Sequence, residues 1–254
     1  MKNRQSLVIG WLYPELMNIY GDRGNIITLI KRCAYRGIET KILNFNVGFD
    51  ASVLKNCDLL LMGGAQDRQQ KVVSEDLSKK TAVLSEIIEK GIPGLYICGA
   101  YQFLGKYYKE SDGTIIKGLG IFDLYTENPG EKYKRLIGNT AVKISQDIIE
   151  NEVLIGFENH GGRTYLGKNI KPLGTIISGF GNNGKDKTEG AIYKNSFGTY
   201  FHGPILPKNP EFADYLIKKA LKIKYHKDFE LESLDDSMAQ NARKVIAKRL
   251  SVAI

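Results

Sequence analysis

One cysteine lies where its thiol could act as a nucleophile. Cys98 follows a short apolar strand predicted over residues 94–97 and precedes a helical stretch that begins at Gly99, which places its thiol at a sheet edge and a helix N-terminus. The dipole and the free N–H groups of a helix N-terminus favour the thiolate and can also hold an oxyanion. A buried structural cysteine at a strand end is an equally good interpretation of Cys98 taken by itself.

A cysteine nucleophile needs a base within hydrogen-bond reach, and the chain has three histidines. His226 lies in a lysine-rich segment and is expected to be exposed. His202 ends a strand predicted over residues 198–201, which places it at a sheet edge, as for Cys98. His160 lies in a polar, glycine-rich loop after another predicted strand. Position in the sequence leaves both His202 and His160 as candidates.

Two adjacent glycines follow a nearly all-apolar strand. Gly63 and Gly64 come directly after residues 58–62. Their segment lacks the lysine and the glycine spacing of phosphate-binding loops. Glycine here would let a backbone N–H approach a substrate carbonyl closely, although a tight turn from strand to helix would use the same residues.

The elements that must position these residues alternate between strand and helix. Strands are predicted over residues 6–13, 38–45, 58–62 and 94–97, with helices over residues 25–36 and 74–91, a helical turn around Val53, and Ser74 as an N-cap. This order predicts an α/β fold with a doubly wound, mostly parallel sheet and helices on both faces. Ligands of such sheets bind at the carboxyl ends of the strands, so Gly63, Gly64 and Cys98 can be neighbours.

The pattern changes in the second half of the chain. Short strands with glycine-rich turns predict an antiparallel extension of the sheet, over residues 120–125, 135–144, 153–157, 174–178, 190–193 and 198–201. A helix opened by Pro210 closes a domain over residues 1–225. Residues 226–254 are predicted to form an amphipathic helix that packs on this domain or docks a partner, with an apolar face of Leu234, Met238, Ala242, Val245 and Leu250.

Composition excludes several classes of protein. The 254 residues are 43% hydrophobic and 25% charged, as in an ordinary globular protein, and neither a membrane span nor a signal peptide is visible, so we expect a cytoplasmic protein. The three cysteines lack a C-x-x-C spacing, which argues against a disulfide framework and a metal site, and Cys33 is expected in the core. The net charge of +8 comes from scattered lysines, so solvated helix faces or an acidic partner are better explanations than nucleic acid.

Together these motifs resemble the class I glutamine amidotransferase domains, specifically the cobyric-acid-synthase-like branch. The resemblance covers residues 5–225 and is carried by four motifs in order: residues 63–64, 97–105, 158–161 and 202–203. It implies that Cys98 is the nucleophile and His202 the general base and acid. It also implies that the backbone N–H groups of Gly64 and Gly99 hold the oxyanion.

Further residues are expected to bind glutamine. The resemblance assigns Gln102, Asn159 and Gly161 to contacts with its backbone groups. The α-carboxylate also suits an arginine, which can bind it in a bidentate manner. Arg135 begins a predicted strand beside the cleft and is our candidate, with Arg163 as the alternative.

One position departs from the class. Most class I domains carry an acid two residues after the histidine, where it orients the imidazole, but this chain has Pro204 there. The departure agrees with the cobyric-acid-synthase-like branch. It leaves a dyad of Cys98 and His202, or an acid supplied by a partner subunit.

The resemblance also implies a partner. Residues 12–25 resemble a signature of glutaminase subunits that form a heterodimer with a Mur-ligase-like synthetase, which amidates the D-glutamate of lipid II in peptidoglycan synthesis. The sequence offers no physical reason for that signature. This chain has no phosphate-binding motif, so ATP and Mg²⁺ are expected on the partner, with no cofactor or metal here.

Two other functions share these features. A cysteine hydrolase or chaperone of the DJ-1/PfpI type would have the same cysteine turn on a similar sheet. A scaffold subunit could keep the fold and only stabilise a ligase. Release of glutamate from glutamine, and its dependence on Cys98, distinguish these functions from glutamine hydrolysis.

Overall fold

The computed structural model describes residues 5–146, 148–149 and 153–254. Residues 1–4, which belong to the N-terminus where no signal peptide was predicted, lie outside the described residues. The first half contains β1 (Ser6–Leu12), α1 (Arg23–Ala34), β2 (Glu39–Phe45), β3 (Leu59–Met62), α2 (Asp67–Ser78), α3 (Thr81–Glu89), β4 (Gly94–Ile97) and α4 (Gly99–Leu104), with short 3₁₀ helices at Ile19–Gly21 and Ala51–Asn56.

The second half is richer in strands. It contains β5 (Tyr107–Lys109), β6 (Ile115–Lys117), β7 (Leu124–Glu127), β8 (Leu136–Lys143), β9 (Val153–His160), β10 (Arg163–Leu166), β11 (Gly174–Ser178), β12 (Thr188–Glu189), β13 (Ala191–Tyr193), β14 (Ser196–Thr199), β15 (Phe201–His202), α5 (Ile205–Lys208), α6 (Pro210–Tyr225) and α7 (Ser237–Leu250).

The central sheet is mostly parallel, as predicted. Its strand order is β13-β14-β4-β3-β1-β2, and only β13 runs antiparallel to its neighbour. All residues of β3 and β4 are buried, which is typical of strands covered on both faces. Because β1, β3, β4 and β14 are parallel neighbours, their carboxyl ends meet at one edge of the sheet. The segments that follow Leu12, Met62, Ile97 and Thr199 therefore come together there.

The helix predicted from Ser74 to Gly91 is two helices. α2 begins at Asp67, directly after the glycine loop, and ends at Ser78, while α3 begins at Thr81. Ser74 lies inside α2, where its hydroxyl donates to the carbonyl of Lys71 at 2.8 Å instead of capping a helix. Serine can satisfy its hydroxyl in either way, so its presence before two acidic residues did not locate the helix start.

The antiparallel strands mostly form separate sheets. The prediction of an extension of the main sheet holds for β13 on β14, but the other strands build a four-stranded sheet, β10-β7-β5-β6, and a five-stranded sheet, β12-β11-β8-β9-β15. β5, β6, β10 and β12 were not predicted, because strands of two to four residues carry too little alternation. The last strand of the five-stranded sheet, β15, ends at His202 and places this residue at the edge of the central sheet described above.

The C-terminal segment packs on the rest of the chain. α7 is the predicted helix, but it begins at Ser237, and its packed face includes Arg243 and Ala247, whereas Met238 and Val245 are exposed. Ala247 lies in an apolar cluster with residues of β8 and β9. The predicted face was partly wrong: Leu250 packs against this cluster, but a buried arginine, which a hydrophobic pattern does not count, occupies the centre of the packed face. Docking of a partner on the exposed face stays a prediction.

Replacing Arg243 by alanine should destabilise the protein. Arg243 is 1% exposed and donates to the carbonyl of Val153 at 2.6 Å and to Glu211 at 3.0 Å. The substitution leaves a buried carbonyl without its donor, so we expect a loss of about 2 kcal/mol in the free energy of unfolding. Urea denaturation measures it, with the exposed Arg249→Ala on the same helix as control. Equal stability of the two variants would contradict the prediction.

The described residues contain neither a membrane-spanning helix nor a cluster of metal-binding side chains. Within residues 5–146, 148–149 and 153–254, no helix is both long and apolar enough to cross a membrane. The same residues contain no group of three or more histidine, cysteine, aspartate or glutamate side chains that could hold a metal ion. Cys33 is fully buried, as predicted, and burial raises the pKa of its thiol to about 12.

Candidate active site

Cys98 lies on a strained turn between β4 and α4. Its backbone has φ 52° and ψ −106°, a left-handed conformation that is unusual for a residue with a side chain. Its N–H donates to the carbonyl of Thr199 at 2.8 Å, which ties the turn to the neighbouring strand end. This is the strand-to-helix geometry that exposes a nucleophile above a sheet. The residue is 8% exposed and lines a cleft, as the sequence predicted.

His202 lies beside Cys98 although 104 residues separate them in the sequence. The two side chains meet at Gly64, where an added Cβ would lie 3.0 Å from His202 Cε1 and 3.1 Å from Cys98 Cβ. β15, which ends on His202, pairs with β9 in the five-stranded sheet and has no exposed residue. The predicted nucleophile and base are therefore brought together by the meeting of two different sheets.

An acid faces His202 from within this chain. Asp22 Oδ1 is 3.7 Å from His202 Nδ1, an ion-pair distance, and both side chains are fully buried. The other carboxylate oxygen, Oδ2, accepts the N–H of Gly64 at 2.7 Å. From the sequence we expected either a dyad of Cys98 and His202 or an acid from a partner subunit. The structure instead brings an acid of this chain, Asp22, to ion-pair distance from His202.

The surroundings of His202 favour its protonated form. Burial by itself would lower the pKa of the imidazole, but the Cys98 thiolate and the Asp22 carboxylate outweigh it and raise the pKa to about 10. The imidazolium is thus the favoured state of His202 around neutral pH. This is the state in which a histidine can protonate a leaving group.

The segment of residues 12–25, for which the sequence offered no physical reason, carries the acid that faces His202. A Cβ on Gly24 would lie 2.4 Å from Pro204, so only glycine allows this close approach. Asn25 is buried and accepts the N–H of Leu206 at 2.9 Å. The segment thus packs against the chain that follows His202 and carries Asp22 to it. Its acid was missed because it comes from the N-cap position of α1, far in sequence from His202.

The glycine loop provides space more than hydrogen-bond donors. A Cβ on Gly63 would lie 2.6 Å from Asp22 Oδ2, so this glycine makes room for the acid. The N–H of Gly64, predicted to hold an oxyanion, is instead donated to Asp22. That prediction is corrected, because the carboxylate occupies the donor in this structure. Gly99 follows Cys98 at the start of α4, as predicted.

Replacing Gly64 by alanine should separate the thiol from the imidazole. The new Cβ would lie within about 3 Å of both side chains and 2.9 Å from Ile19 Cγ2. Since a displacement of about 1 Å between reacting groups can cost two orders of magnitude, we expect kcat of the reaction that uses Cys98 to fall about 100-fold. Steady-state kinetics measure it. Gly138→Ala, where an added Cβ meets nothing within 4 Å, is the control, and equal kcat values would contradict the prediction.

The cleft beside Cys98 has a volume of about 460 Å³ and suits an anionic small molecule. Arg68 and Arg135 are the two arginines that line it among the described residues. Arg135 donates to both oxygens of Asn159, from Nε to Oδ1 and from Nη2 to the backbone carbonyl, each at 3.0 Å. Its Nη1 lies near Gly161, where an added Cβ would be 3.3 Å away. The structure thus brings Arg135, Asn159 and Gly161 together in the cleft.

Gln102 also lines the cleft. It is 3% exposed, and its Nε2 donates to the hydroxyl of Tyr200 at 3.1 Å. Its Oε1 is buried and has no hydrogen-bond partner in the part of the chain that the structure describes. Tyr200 is held in turn by Thr164 at 2.6 Å. The carboxamide is therefore fixed with a free acceptor.

Arg163, the alternative to Arg135, has a different position. Its guanidinium donates to the backbone carbonyls of Gly161 and Lys134, both at 2.7 Å. It is not among the residues that line the cleft. Arg163 braces the loop at residues 161–162, and partial burial lowers its pKa from the usual value.

The other two histidines are set apart from the nucleophile chemistry. His160 lines the cleft but stacks on Tyr200, with ring centroids 3.6 Å apart, and its Nδ1 contacts the carbonyl of Gly162 at 2.8 Å. Burial lowers its pKa. His226 ends α6 in a left-handed conformation and is exposed, as predicted.

Three further cleft residues were not found from the sequence. Gln70 on α2 is 4% exposed and donates to the carbonyl of Ala65 at 2.9 Å, which shapes the loop beside Gly64. Arg68 lies two residues earlier on the same helix, and Tyr20 covers His202 from the β1–α1 connection. Gln70 and Arg68 could have been found if α2 had been predicted to begin at Asp67, directly after the glycine loop, instead of at Ser74.

The class of this protein follows from this site and from its match to a known domain. Residues 8–210 match the CobB/CobQ-like glutamine amidotransferase domain, and the chain belongs to that family. A solved structure described as a crystal structure of glutamine amidotransferase shares the fold, with a TM-score of 0.58 at 17% identity over 84% of this chain and 98% of that one.

Within the family, the chain is similar to one kind of subunit over nearly its whole length. Subunit GatD of the glutamine-hydrolyzing lipid II isoglutaminyl synthase from Staphylococcus aureus strain N315 is 44% identical over 96% of both chains. GatD from Streptococcus pneumoniae strain R6 is 40% identical, over 92% of this chain and 88% of that one. A probable cobyric acid synthase from Methanococcus maripaludis strain C7 is 38% identical over 63% of this chain but only 32% of its own.

Proposed function

We propose that this chain is the glutaminase subunit of a lipid II isoglutaminyl synthase. It hydrolyses L-glutamine and supplies ammonia to an ATP-dependent synthetase, which amidates the D-glutamate of lipid II in peptidoglycan synthesis. The observation that carries the chemistry is the meeting of Cys98, His202 and Asp22 beside a cleft that holds two arginines. The relatives named GatD support the acceptor, because their similarity extends over almost all of both chains.

The reaction begins with the thiolate of Cys98. Its sulfur attacks the carboxamide carbon of glutamine, and the N–H of Gly99 stabilises the resulting oxyanion. The imidazolium of His202 gives its proton to the departing nitrogen, which leaves as ammonia, and a thioester remains. His202 then removes a proton from water, which attacks the thioester and releases glutamate and the Cys98 thiolate. Asp22 orients the imidazole and stabilises its positive charge in both halves of the reaction.

The cleft residues bind the amino-acid end of glutamine. Nη1 of Arg135 binds the α-carboxylate, since Nε and Nη2 on the other edge of the guanidinium donate to Asn159. The free Oε1 of Gln102 is an acceptor for the α-ammonium group. Asn159 and Gly161 complete the wall on the same side. These contacts explain why a free amino acid would be preferred to a larger amide.

The ammonia is used by a partner subunit. We propose a Mur-ligase-like synthetase that forms a heterodimer with this chain and carries the ATP and Mg²⁺ sites, because amidation of a carboxylate requires its activation. The word subunit in the names of the GatD relatives supports such an assembly. We place the complex in the cytoplasm, where ATP is available, and expect no metal or cofactor in this chain.

The test is glutamine hydrolysis with the purified synthetase present. We expect glutamate release from the complex and amidation of lipid II with either glutamine or ammonium chloride as the nitrogen source. Absence of glutamate release from the complex would exclude a glutaminase and favour a hydrolase of another class. Glutamate release without amidation of lipid II would leave the glutaminase but overturn the proposed acceptor.

A further inference from the structure

Tyr20 bridges the two sides of the glutamine cleft. Its hydroxyl accepts a hydrogen bond from Asn159 Nδ2 at 2.7 Å, across 139 positions of sequence. Its ring lies edge-on against the imidazole of His202, with centroids 4.9 Å apart. A residue of the β1–α1 connection therefore touches both a proposed substrate contact and the proposed base.

The hydrogen bond from Asn159 extends the influence of Tyr20 to the arginine. With its Nδ2 given to Tyr20, the carboxamide of Asn159 presents Oδ1 to Arg135 Nε at 3.0 Å. The reversed carboxamide would set its NH₂ group against the guanidinium, where both groups are donors. The guanidinium thus selects the Asn159 orientation, and the Tyr20 hydroxyl, by accepting from Nδ2, holds the carboxamide in the position that leaves Nη1 of Arg135 for a carboxylate.

The backbone of Tyr20 is held in an uncommon conformation. Its φ of 55° and ψ of 26° lie in the left-handed region, which costs a non-glycine residue about 1 kcal/mol. Two hydrogen bonds maintain the turn on either side, from the N–H of Ile19 to Gly64 at 3.1 Å and from the N–H of Arg23 to Asn18 Oδ1 at 2.7 Å. Strain that is retained and braced in this way marks a residue whose position matters to function.

We propose that Tyr20 is a positioning residue for glutamine: its hydroxyl fixes Asn159, and through it Arg135, for the α-carboxylate, while its ring holds the imidazole of His202. The inference rests on the proposed function and adds a residue to its site. Because the hydroxyl acts on binding and the ring on the base, the two parts of this side chain have separable effects.

The test compares Tyr20→Phe with Tyr20→Ala in the complex with the synthetase. Phenylalanine removes only the hydroxyl, so we expect KM for glutamine to rise roughly five- to tenfold with a much smaller change in kcat. Alanine also removes the ring, so kcat should fall by a further three- to tenfold, roughly the value of an aromatic contact. Tyr35→Phe, at a tyrosine that is 70% exposed at the end of α1, is the matched control and should match the wild type.

A double-mutant cycle with Asn159→Ala separates positioning from general damage. If the hydroxyl acts through Asn159, adding Tyr20→Phe to Asn159→Ala should raise KM no further. An unchanged KM in Tyr20→Phe, or fully additive effects of the two substitutions, would overturn the inference while the wild-type complex still hydrolyses glutamine. Failure of the wild-type complex to release glutamate would overturn the proposed function and this inference with it.

Discussion

Replacing Cys98 by alanine is expected to abolish glutamine hydrolysis while ammonia-driven amidation continues. The substitution removes the nucleophile, so glutamate release should fall by roughly 10⁴-fold or more. The synthetase of the complex should still amidate its acceptor with ammonium chloride, because that route does not pass through the thioester. Glutamate release and amidation are measured on the same complex with each nitrogen source.

The control for this substitution is a second buried thiol. Cys33 is fully buried in the core and far from the chemistry, so Cys33→Ala should retain glutamine hydrolysis. Full glutamine-dependent amidation by the Cys98→Ala complex would contradict the prediction and favour a scaffold subunit. Loss of ammonia-driven amidation as well would show that the substitution damages the complex rather than one step.

Replacing Asp22 by asparagine is expected to lower kcat for glutamine hydrolysis by roughly 10³-fold. The side-chain oxygen of asparagine can still accept the N–H of Gly64. In that orientation its NH₂ group faces His202 Nδ1, which lies 3.7 Å from Oδ1 of the native Asp22. A donor at that position favours the wrong tautomer and does not stabilise an imidazolium. The fold should survive, because the shape and one hydrogen bond of Asp22 are kept.

The pH dependence gives a second readout of Asp22. The carboxylate is one of the groups that raise the pKa of His202 to about 10, so its removal lowers that pKa. Since the imidazolium protonates the leaving ammonia, the alkaline limb of kcat/KM should move to lower pH in Asp22→Asn. The exposed Asp112→Asn is the control. An unchanged alkaline limb together with wild-type kcat would show that Asp22 does not act on His202.

Much of the site could be predicted because its residues follow strand ends. Cys98 after β4 and His202 at the end of β15 were both found from local pattern. The parallel order of β1, β3 and β4 explains why their ends meet. The role of the Gly64 N–H was predicted wrongly, because that prediction depended on a donor being free, and no local pattern reveals that a distant carboxylate occupies it.

Two other predictions, the start of α2 and the packed face of α7, were also wrong because of single side chains. Ser74 has the residue type of an N-cap but lies inside α2, so Gln70 and Arg68 were not seen as cleft residues. On α7, the buried Arg243 pairs with Glu211 and the carbonyl of Val153, and a pattern of apolar residues misses such a face. Ser74 satisfies its hydroxyl on Lys71 in its own helix, whereas the hydrogen bonds of Arg243 depend on tertiary neighbours.

The sequence by itself determined the alternating α/β elements, the cysteine turn and the family to which they belong, because hydrophobic periodicity and turn residues act over a few neighbouring positions. Only the tertiary structure decided that Asp22 faces His202 and that Tyr20 reaches Asn159. The reason is physical: these pairs arise from the order of strands in two sheets, which brings together segments that no local pattern connects. The segment of residues 12–25 is distinctive because it must fit His202 and the chain that follows it.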